Sequence, residues 1–377
     1  MEFGWTAEEL AFREELRDFI AGEVPPEWAT LIPGEHVATD FTREFCRALA
    51  DRGMFASHWP ARFGGNDASA WQFIISGEEL WASGEPRGSQ YMNVNWIGPA
   101  IIQAGTPEQQ ELHLKAIAHG DTTWCQGFSE PDAGTDLAAL RTTAVRDGEH
   151  YVINGEKVWT SYAQDAEWCF LLARTDPASS GSDGISIFLV PMATPGLRAE
   201  VITSVLDIHE YNRLTFTDVR VPATSRLGAE NDGWSVIRNA LAHERIGGPR
   251  YARAALVAER IAARADENGW WQRDGFGTRL AQARAACAAA RVLVYQAIDA
   301  RVKGRPEDLA VSLARVAIVR CERAVAELAL DVDEQEALLV GSVGHGQLKT
   351  AMIAGLGGGS VEVQLNIVAR ALLGSRR

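Results

Sequence analysis

The sequence predicts an α+β protein with several domains: an N-terminal α-helical domain, a middle antiparallel β domain and a C-terminal α-helical bundle. Three changes of pattern support this prediction. Apolar residues recur at helical spacing up to about residue 121, alternate with a period of two as far as about residue 229, and then lie in long Ala/Arg/Leu-rich segments. We therefore expect domains at 1–121, 122–229 and 230–377.

The N-terminal domain is predicted to be helical throughout. Thr6, followed by Glu9 three residues later, matches the capping box that begins a helix, and Pro25 ends that helix. Further amphipathic segments follow at 40–53, 68–84 and 93–119. In the last segment, Thr106 and Pro107 match a helix cap followed by a first-turn proline.

The middle domain is predicted to consist of short strands separated by tight turns. The strand candidates are 140–146, 149–153, 166–174, 185–191, 198–203 and 212–217. Asp147-Gly148 and Asn154-Gly155 are typical of two-residue hairpin turns, so neighbouring strands are expected to run antiparallel.

The C-terminal domain is predicted to be a bundle of Ala-rich helices. The candidate helices are 234–266, 276–303, 306–329, 333–350 and 360–373. Small side chains allow helices to approach each other closely, and this composition is typical of a bundle.

The composition excludes several classes of function. The chain has 377 residues, 46% of them hydrophobic, and its formal net charge of -14 disfavours nucleic acid and anionic membranes as partners. No apolar run reaches the roughly 18 residues that a membrane span needs. The five cysteines lack metal-ligand spacing. We therefore expect no metal site, and buried thiols in a reducing compartment, with the cytoplasm as the default location.

Two short stretches carry the residues that point to chemistry. The stretch from Trp124 to Asp136 reads WCQGFSEPDAGTD, a strand-like start followed by a Pro/Gly turn with hydroxyl groups. Such a turn exposes backbone N–H and hydroxyl donors, although a polar surface loop is the alternative interpretation. The second stretch, KVWTS at 157–161, places Trp159 two residues before Ser161. An aromatic plane beside short hydroxyls suits a flat ring system that forms hydrogen bonds.

The segment FSEPDAGTD resembles the flavin-binding signature of the acyl-CoA dehydrogenase family, and the resemblance extends over nearly the whole chain. It implies FAD as the cofactor. It also implies that Trp159 covers the flavin ring, that Ser161 bonds near flavin N5 and that the backbone of Phe128 touches the pyrimidine side. The implied flavin contacts within this region are Phe128, Ser129, Thr135, Trp159, Thr160 and Ser161.

The reaction of this family needs a carboxylate base, because a proton leaves the acyl α-carbon while a hydride leaves the β-carbon. Most members carry a Glu before the turn that opens the last helix, and Gly358 stands at that position here. The isovaleryl and long-chain branches carry the base in a Glu-Arg pair after the β domain, which Glu244 and Arg245 match. We therefore expect Glu244 to be the base and Arg245 to bind substrate or orient Glu244. An intrahelical ion pair on a solvated face is the alternative.

The contacts that the family makes with a neighbouring subunit's flavin are only partly matched. Arg273 and Phe276 fit the Arg-x-x-Phe-Gly element that reaches the adenosine-diphosphate part of that flavin, and a guanidinium suits a pyrophosphate. The later Gln-x-x-Gly-Gly-x-Gly element has no match in residues 333–347. This combination resembles members from actinobacterial steroid side-chain breakdown, which assemble two different subunits. Gly358 would also clear space for a ring-bearing acyl group.

The resemblance implies an FAD-dependent acyl-CoA dehydrogenase of β-oxidation. It would form an α,β double bond in a bulky or branched acyl-CoA, with a steroid side chain as one candidate. An electron-transfer flavoprotein would accept the electrons, and the assembly would be a homo- or heterotetramer. Two alternatives stay open: a flavin-binding subunit of a heteromeric enzyme with limited activity alone, and an acyl-CoA oxidase or monooxygenase on the same fold. A non-catalytic scaffold is disfavoured, because it would not need the flavin residues.

Overall fold

The structure, a computed structural model, describes residues 4–25, 28, 39–204, 210–238, 248–333, 336–339 and 342–374. The chain divides into two compact units made of segments that are distant in sequence. The helical unit combines 1–33, 68–86 and 244–377, and the sheet unit combines 34–67 and 87–243. The domain boundaries predicted at 121/122 and 229/230 stay predictions.

Within the described residues, the sheet unit contains one eight-stranded sheet. Its strands are β1 (Trp124–Gly127), β2 (Thr143–Asp147), β3 (His150–Ser161), β4 (Trp168–Arg174), β5 (Ile185–Pro191), β6 (Leu197–Val201), β7 (Tyr211–Pro222) and β8 (Arg226–Leu227). The strand order is β6-β7-β3-β2-β4-β5-β8, and β1 pairs with β4. The predicted middle β domain is therefore confirmed.

Most neighbouring strands of the sheet run antiparallel, as predicted, whereas β1 and β2 each pair with β4 in parallel. Trp124 of β1 lies opposite Trp168 of β4, and Gly127 lies opposite Leu171. Strands β1 and β8 are absent from the predicted set, because segments of four and two residues are too short to show an alternating pattern.

Strand β3 is longer than its predicted counterpart 149–153, because Asn154-Gly155 is an irregularity within the strand and not a turn. The register against β7 shifts between Ile153 and Gly155. Gly155 has a φ of 149°, and a Cβ atom there would lie 2.5 Å from Thr142 Oγ1. Glycine is required at this close approach, and β3 can therefore continue to Ser161.

The sheet unit also contains helices, at Thr39–Asp51, Gly98–Ala104 and Pro107–Ala118, with a π-helical turn at Asn93–Ile97. The predicted helix 93–119 is thus interrupted near Gly105. The interruption follows from the cap that the sequence contains: Thr106 Oγ1 accepts the Gln109 N–H, and Gln109 Oε1 accepts the Thr106 N–H over 3.1 Å. Pro107 has no N–H to continue the preceding helix.

The helical unit is built from long helices around an alanine-rich core. Its helices are Ala7–Glu23, Ala70–Ala82, Tyr251–Arg264, Phe276–Val302, Asp308–Asp333, Val343–Ile353 and Val361–Leu373. The fully buried core alanines include Ala254, Ala258, Ala290, Ala297 and Ala314. Small side chains let these helices approach closely, and the predicted C-terminal helical domain is confirmed.

Two of the predicted C-terminal helices differ by many residues from the structure, and the other three differ by four residues or fewer at either end. The predicted helix 234–266 is described as helical at 233–238 and at Tyr251–Arg264, while residues 248–250 are not helical and 239–247 lie outside the described residues. The predicted helix 333–350 is replaced by a helix that begins at Val343. Ser342 explains that start, because its hydroxyl accepts the His345 N–H over 3.0 Å as an N-cap.

No helix in the described ranges is both long and apolar enough to cross a bilayer. The same part of the chain contains no cluster of three or more His, Cys, Asp or Glu side chains that could hold a metal ion. The five cysteines are buried free thiols, as predicted.

Candidate active site

The loop that follows β1 carries three of the predicted flavin residues. Phe128 and Ser129 are half-buried, and Thr135 is exposed further along the loop. Glu130 and Ala133 exchange backbone hydrogen bonds of 2.9 and 3.1 Å, which close a turn between them. The loop therefore has a defined turn that leaves the side chain of Thr135 open to solvent.

The end of β3 carries the other three predicted residues of this region, of which Trp159 has an unusual conformation. Its backbone lies in the left-handed region at a φ of 59°, and its side chain is 58% exposed. The register between β3 and β7 shifts between Lys157 and Thr160, and such irregularities redirect side chains. Strained, exposed residues of this kind are typical of ligand sites.

Thr160 and Ser161 differ in their surroundings. Thr160 is 1% exposed, and its Oγ1 has no hydrogen-bond partner among the described residues. Ser161 is half-buried and lies opposite Tyr211 in the sheet. Gln126 in β1 also has a buried amide nitrogen, Nε2, without a partner in the described part of the chain. Buried polar atoms need partners, so both groups are left unsatisfied by the described residues.

The two stretches picked out in the sequence are brought together in the sheet unit. The backbone N–H of Val158 donates to the Ser129 carbonyl oxygen over 2.8 Å. A cleft of about 350 Å³ opens beside them. It is lined by Pro131, Val158, Trp159, Glu200, Val201, Ile202 and Arg213. The cleft combines an aromatic plane, aliphatic side chains and a guanidinium group.

A buried ion pair lies between the same two stretches, although sequence interpretation did not single out either residue. The Lys157 ammonium donates to Glu130 Oε1 over 2.8 Å, and Glu130 also accepts the backbone N–H groups of Arg141 and Thr142. Burial lowers the pKa of Lys157 to about 8, although Glu130 opposes this change. A lysine at an inward position of a strand is the signal that could have revealed the pair.

The Glu130 carboxylate stays charged in this environment. Burial alone would raise the pKa of Glu130, but the Lys157 ammonium and the hydrogen bonds from Thr142 and Arg141 outweigh burial and lower it. Glu130 has more stabilising partners than Lys157, which explains why burial dominates for the lysine and not for the carboxylate.

The helical unit holds Arg273 and Phe276 at the start of helix Phe276–Val302. Arg273 is exposed and donates to the Val332 carbonyl over 2.8 Å. Phe276 is fully buried, with the Trp271 ring edge-on at 5.0 Å. Its predicted contact with a neighbouring subunit's flavin stays a prediction. Trp271, which is 45% exposed, offers the accessible aromatic surface at this place and was not predicted.

The predicted base and its neighbour cannot be placed, since Glu244 and Arg245 lie outside the described residues and stay predictions. Gly358, which the sequence resemblance matches to the family's more common base, lies within the described residues. Gly358 has a φ of 68°, a conformation that disfavours any residue with a side chain. Arg315 Nη2 donates to the carbonyl of the preceding Gly357 over 2.6 Å and holds this turn.

Comparisons with known proteins agree along the whole chain. The acyl-CoA dehydrogenase family models match as N-terminal domain at 6–121, middle domain at 125–219 and C-terminal domain at 231–373. The chain is 33% identical to acyl-CoA dehydrogenase FadE26 of Mycobacterium tuberculosis, over 100% of this chain and 99% of the relative.

Two solved structures have a similar fold over their whole length. The structure of the Tcur3481-Tcur3483 steroid ACAD gives a TM-score of 0.93 at 28% identity and covers 100% of both chains. The crystal structure of the ChsE4-ChsE5 complex from Mycobacterium tuberculosis gives 0.86 at 29% identity, again with 100% of both chains covered.

The residues present in the sheet unit fit FAD. The exposed Trp159 indole provides a plane against which a flavin ring can pack. Thr160 and Gln126 supply buried polar atoms that lack partners in the described residues, and Thr135 supplies an exposed hydroxyl. The chain belongs to the acyl-CoA dehydrogenase family, and it is an FAD-dependent oxidoreductase that acts on the CH–CH bond of an acyl-CoA.

Proposed function

We propose that this enzyme introduces an α,β double bond into a bulky or branched acyl-CoA, with a steroid side-chain acyl-CoA as the leading candidate. The observation that carries the proposal is Gly358, which stands in a left-handed turn where most members of the family carry a carboxylate base. A glycine there leaves space that a ring-bearing acyl group can use. The similarity to the Tcur3481-Tcur3483 steroid ACAD supports the same substrate class.

The proposed reaction divides its work between protein groups and the cofactor. Glu244 removes the proton from the α-carbon, and Arg245 binds the substrate or orients Glu244. FAD, when bound, accepts the hydride that leaves the β-carbon. Ser129, Thr135 and Ser161 hold the cofactor by hydrogen bonds. An electron-transfer flavoprotein is the proposed acceptor of the two electrons, in the cytoplasm.

The indole of Trp159 would contribute by packing rather than by hydrogen bonding. It covers one face of the ring and excludes water from that face. Exclusion of water strengthens the hydrogen bonds that the neighbouring hydroxyls make, because the local dielectric constant falls. Phe128 would add a backbone contact from the opposite stretch of the site.

We propose that the functional assembly contains a second chain of the same fold. Helix Val361–Leu373 supports this, because Gln364 is its one buried side chain among the described residues. Apolar side chains on and near this helix are exposed: Met352 at 50%, Leu356 at 70%, Leu365 at 43%, Leu372 at 68% and Leu373 at 80%. Such a surface is typical of a contact with another chain. The ChsE4-ChsE5 complex is a relative of this fold that contains two different proteins.

The test of the function is flavin reduction by substrate. The chain is purified alone and after co-expression with a homologous chain, and its visible spectrum is recorded before and after anaerobic addition of a steroid side-chain acyl-CoA or a short branched acyl-CoA. We expect bound flavin that loses its colour with the steroid compound. Flavin that stays oxidised with both compounds in both preparations would overturn the proposal.

The same preparations separate the alternatives. Reduction in the co-expressed preparation alone would assign this chain as the flavin-binding subunit of a heteromeric enzyme. Reoxidation is then followed with oxygen and with electron-transfer flavoprotein. Faster reoxidation by oxygen would identify an oxidase or a monooxygenase, because a dehydrogenase protects its reduced flavin from oxygen.

A further inference from the structure

The Lys157–Glu130 ion pair connects the two stretches that carry the predicted flavin residues. We propose that Lys157 is a positioning residue of the flavin site, which fixes the loop at 128–136 against the end of β3. The inference rests on the proposed function, because it concerns how the chain holds FAD. The proposed role of Lys157 does not require its ammonium group to contact the flavin.

The bonds of Lys157 reach both sides of the site. Its side chain is 0% exposed, and Nζ donates to Glu130 Oε1 over 2.8 Å and to the Phe128 carbonyl oxygen over 3.0 Å. Phe128 and Glu130 lie immediately before and after Ser129 in the loop. A single buried cation therefore holds both neighbours of a predicted flavin-binding hydroxyl.

The other end of the connection is the irregular part of β3. Lys157 lies two residues before Trp159, and the register shift that redirects the indole begins at Lys157. Val158, between them, donates its N–H to the Ser129 carbonyl oxygen. The lysine and this backbone bond together determine how the indole and the hydroxyl of Ser129 stand relative to each other.

Glu130 anchors the pair to a third segment. Its carboxylate accepts the N–H groups of Arg141, at 2.7 Å, and Thr142, at 2.9 Å, just before β2. The loop is thus held at a point between β1 and β2 and cannot shift without breaking several bonds to charged groups. Hydrogen bonds to charged groups are stronger than neutral ones, which makes them suited to fixing a binding loop.

An ion pair kept for stability alone would be a poor choice at this position. Well-packed apolar side chains can replace many buried ion pairs without loss of stability, since desolvation of the two charges offsets their attraction. What an apolar replacement cannot supply is a donor to the Phe128 carbonyl. We therefore infer that the hydrogen bond from Lys157 to the Phe128 carbonyl oxygen is the part of the arrangement that serves cofactor binding.

The experiment measures FAD binding to apoprotein and the visible spectrum of bound flavin in K157M. We expect the dissociation constant for FAD to rise about tenfold or more and the visible spectrum of bound flavin to shift. Effects of this size are typical of residues that hold the ligand-contacting residues in place. The control is R226M. Arg226 bonds Tyr151 and Glu230, and Tyr151 lies six residues before Lys157 on β3, about 20 Å along the strand. R226M should bind FAD as the wild type does.

A double variant, E130Q/K157M, separates positioning from stability. It removes both buried charges, and the Gln side-chain oxygen can still accept a backbone N–H, so we expect thermal stability to recover while FAD affinity stays low. If thermal stability and FAD affinity both recover in the double variant, the inference is overturned. It is also overturned if K157M binds FAD with a dissociation constant within about twofold of the wild type. If neither K157M nor E130Q/K157M folds while R226M does, the Lys157–Glu130 ion pair is required for folding. That outcome also overturns the inference.

The proposed function fails in a way that can be recognised separately. A wild-type chain that binds no FAD, alone or with its co-expressed homologue, overturns the proposed function and this inference with it. A wild type that binds FAD, together with K157M that binds it equally well, overturns this inference alone.

Discussion

Gly357 and Gly358 are consecutive in one turn but differ in backbone conformation. Gly358 lies in the left-handed region with a φ of 68°, whereas Gly357 does not lie there and has nothing within 4 Å of a Cβ atom built on it. The pair provides a matched test of why glycine occupies the position that the sequence resemblance matches to the family's more common base.

We expect G358A to lower the free energy of unfolding by about 1 kcal/mol, because a side chain is unfavourable in left-handed backbone. G357A should change it by less than about 0.5 kcal/mol. Denaturant unfolding of both variants and the wild type measures the difference. Equal effects of the two substitutions would mean that backbone conformation does not explain the glycine.

The identity of the base is tested with E244Q. The variant should bind FAD normally, while the rate of anaerobic flavin reduction by acyl-CoA falls by about 10²- to 10⁴-fold, since that is the usual contribution of a general base. Glu267→Gln, at an exposed position, serves as the control and should leave reduction unchanged. A variant of Glu244 that is still reduced at the wild-type rate would remove this residue from the mechanism.

The stability of the sheet unit should depend on pH through His113. Burial lowers the pKa of His113 from its ordinary 6.5 to about 4, and the ring lies edge-on to Trp124 and Trp168. As the pH falls, His113 is therefore protonated near pH 6.5 in the unfolded chain but only near pH 4 in the folded chain. Protonation of His113 does not reduce the free energy of unfolding above pH 6.5. The free energy of unfolding then falls as the pH decreases toward 4, by at most about 3 kcal/mol.

His113→Phe should remove most of this dependence, because phenylalanine keeps the ring contacts and does not titrate. Denaturant unfolding at pH 7 and pH 5 gives the change for each protein, with His119→Gln, at an exposed histidine, as the control. An equal loss of stability on acidification in His113→Phe and the wild type would show that another group causes it.

The order of helical, β and helical regions could be predicted because each has its own periodicity over long segments. The exceptions have local causes. Asn154-Gly155 has the sequence of a hairpin turn, but Gly155 is needed where β3 passes close to Thr142. Gly105 and the cap at Thr106 interrupt a segment whose apolar pattern continues on both sides. A contact with a residue outside the turn decided the first place, whereas the second was decided by a local cap that the sequence contains.

The candidate site could also be predicted only in part from the sequence. Phe128, Ser129 and Thr135 could be predicted as flavin contacts because their motif is long and continuous in sequence. The pairing of Glu130 with Lys157 could not be predicted, since it joins residues 27 positions apart and depends on the register of the folded sheet. The flavin contact predicted for Phe276 stays a prediction, and the edge-on contact of the Trp271 ring with Phe276 could not be predicted from the motif.

Trp159 offers the sharpest test of where the flavin ring packs. Its indole is 58% exposed and its backbone is left-handed, so the side chain contributes little to the stability of the apoprotein. Alanine has the same unfavourable backbone at this position, and Trp159→Ala therefore isolates the effect of the indole. We expect the melting temperature of the apoprotein to change little, while the dissociation constant for FAD rises about tenfold, in line with an aromatic stack of about 1.4 kcal/mol.

The control for this variant is Val145→Ala. Val145 lies in β2 of the same sheet and is 59% exposed, so its truncation removes a comparably exposed apolar side chain away from the candidate site. FAD titration of the two apoproteins, followed by thermal unfolding, gives both quantities. If Trp159→Ala destabilises the apoprotein and leaves FAD affinity unchanged, the exposed indole serves the fold or another contact, and the ring does not pack against it.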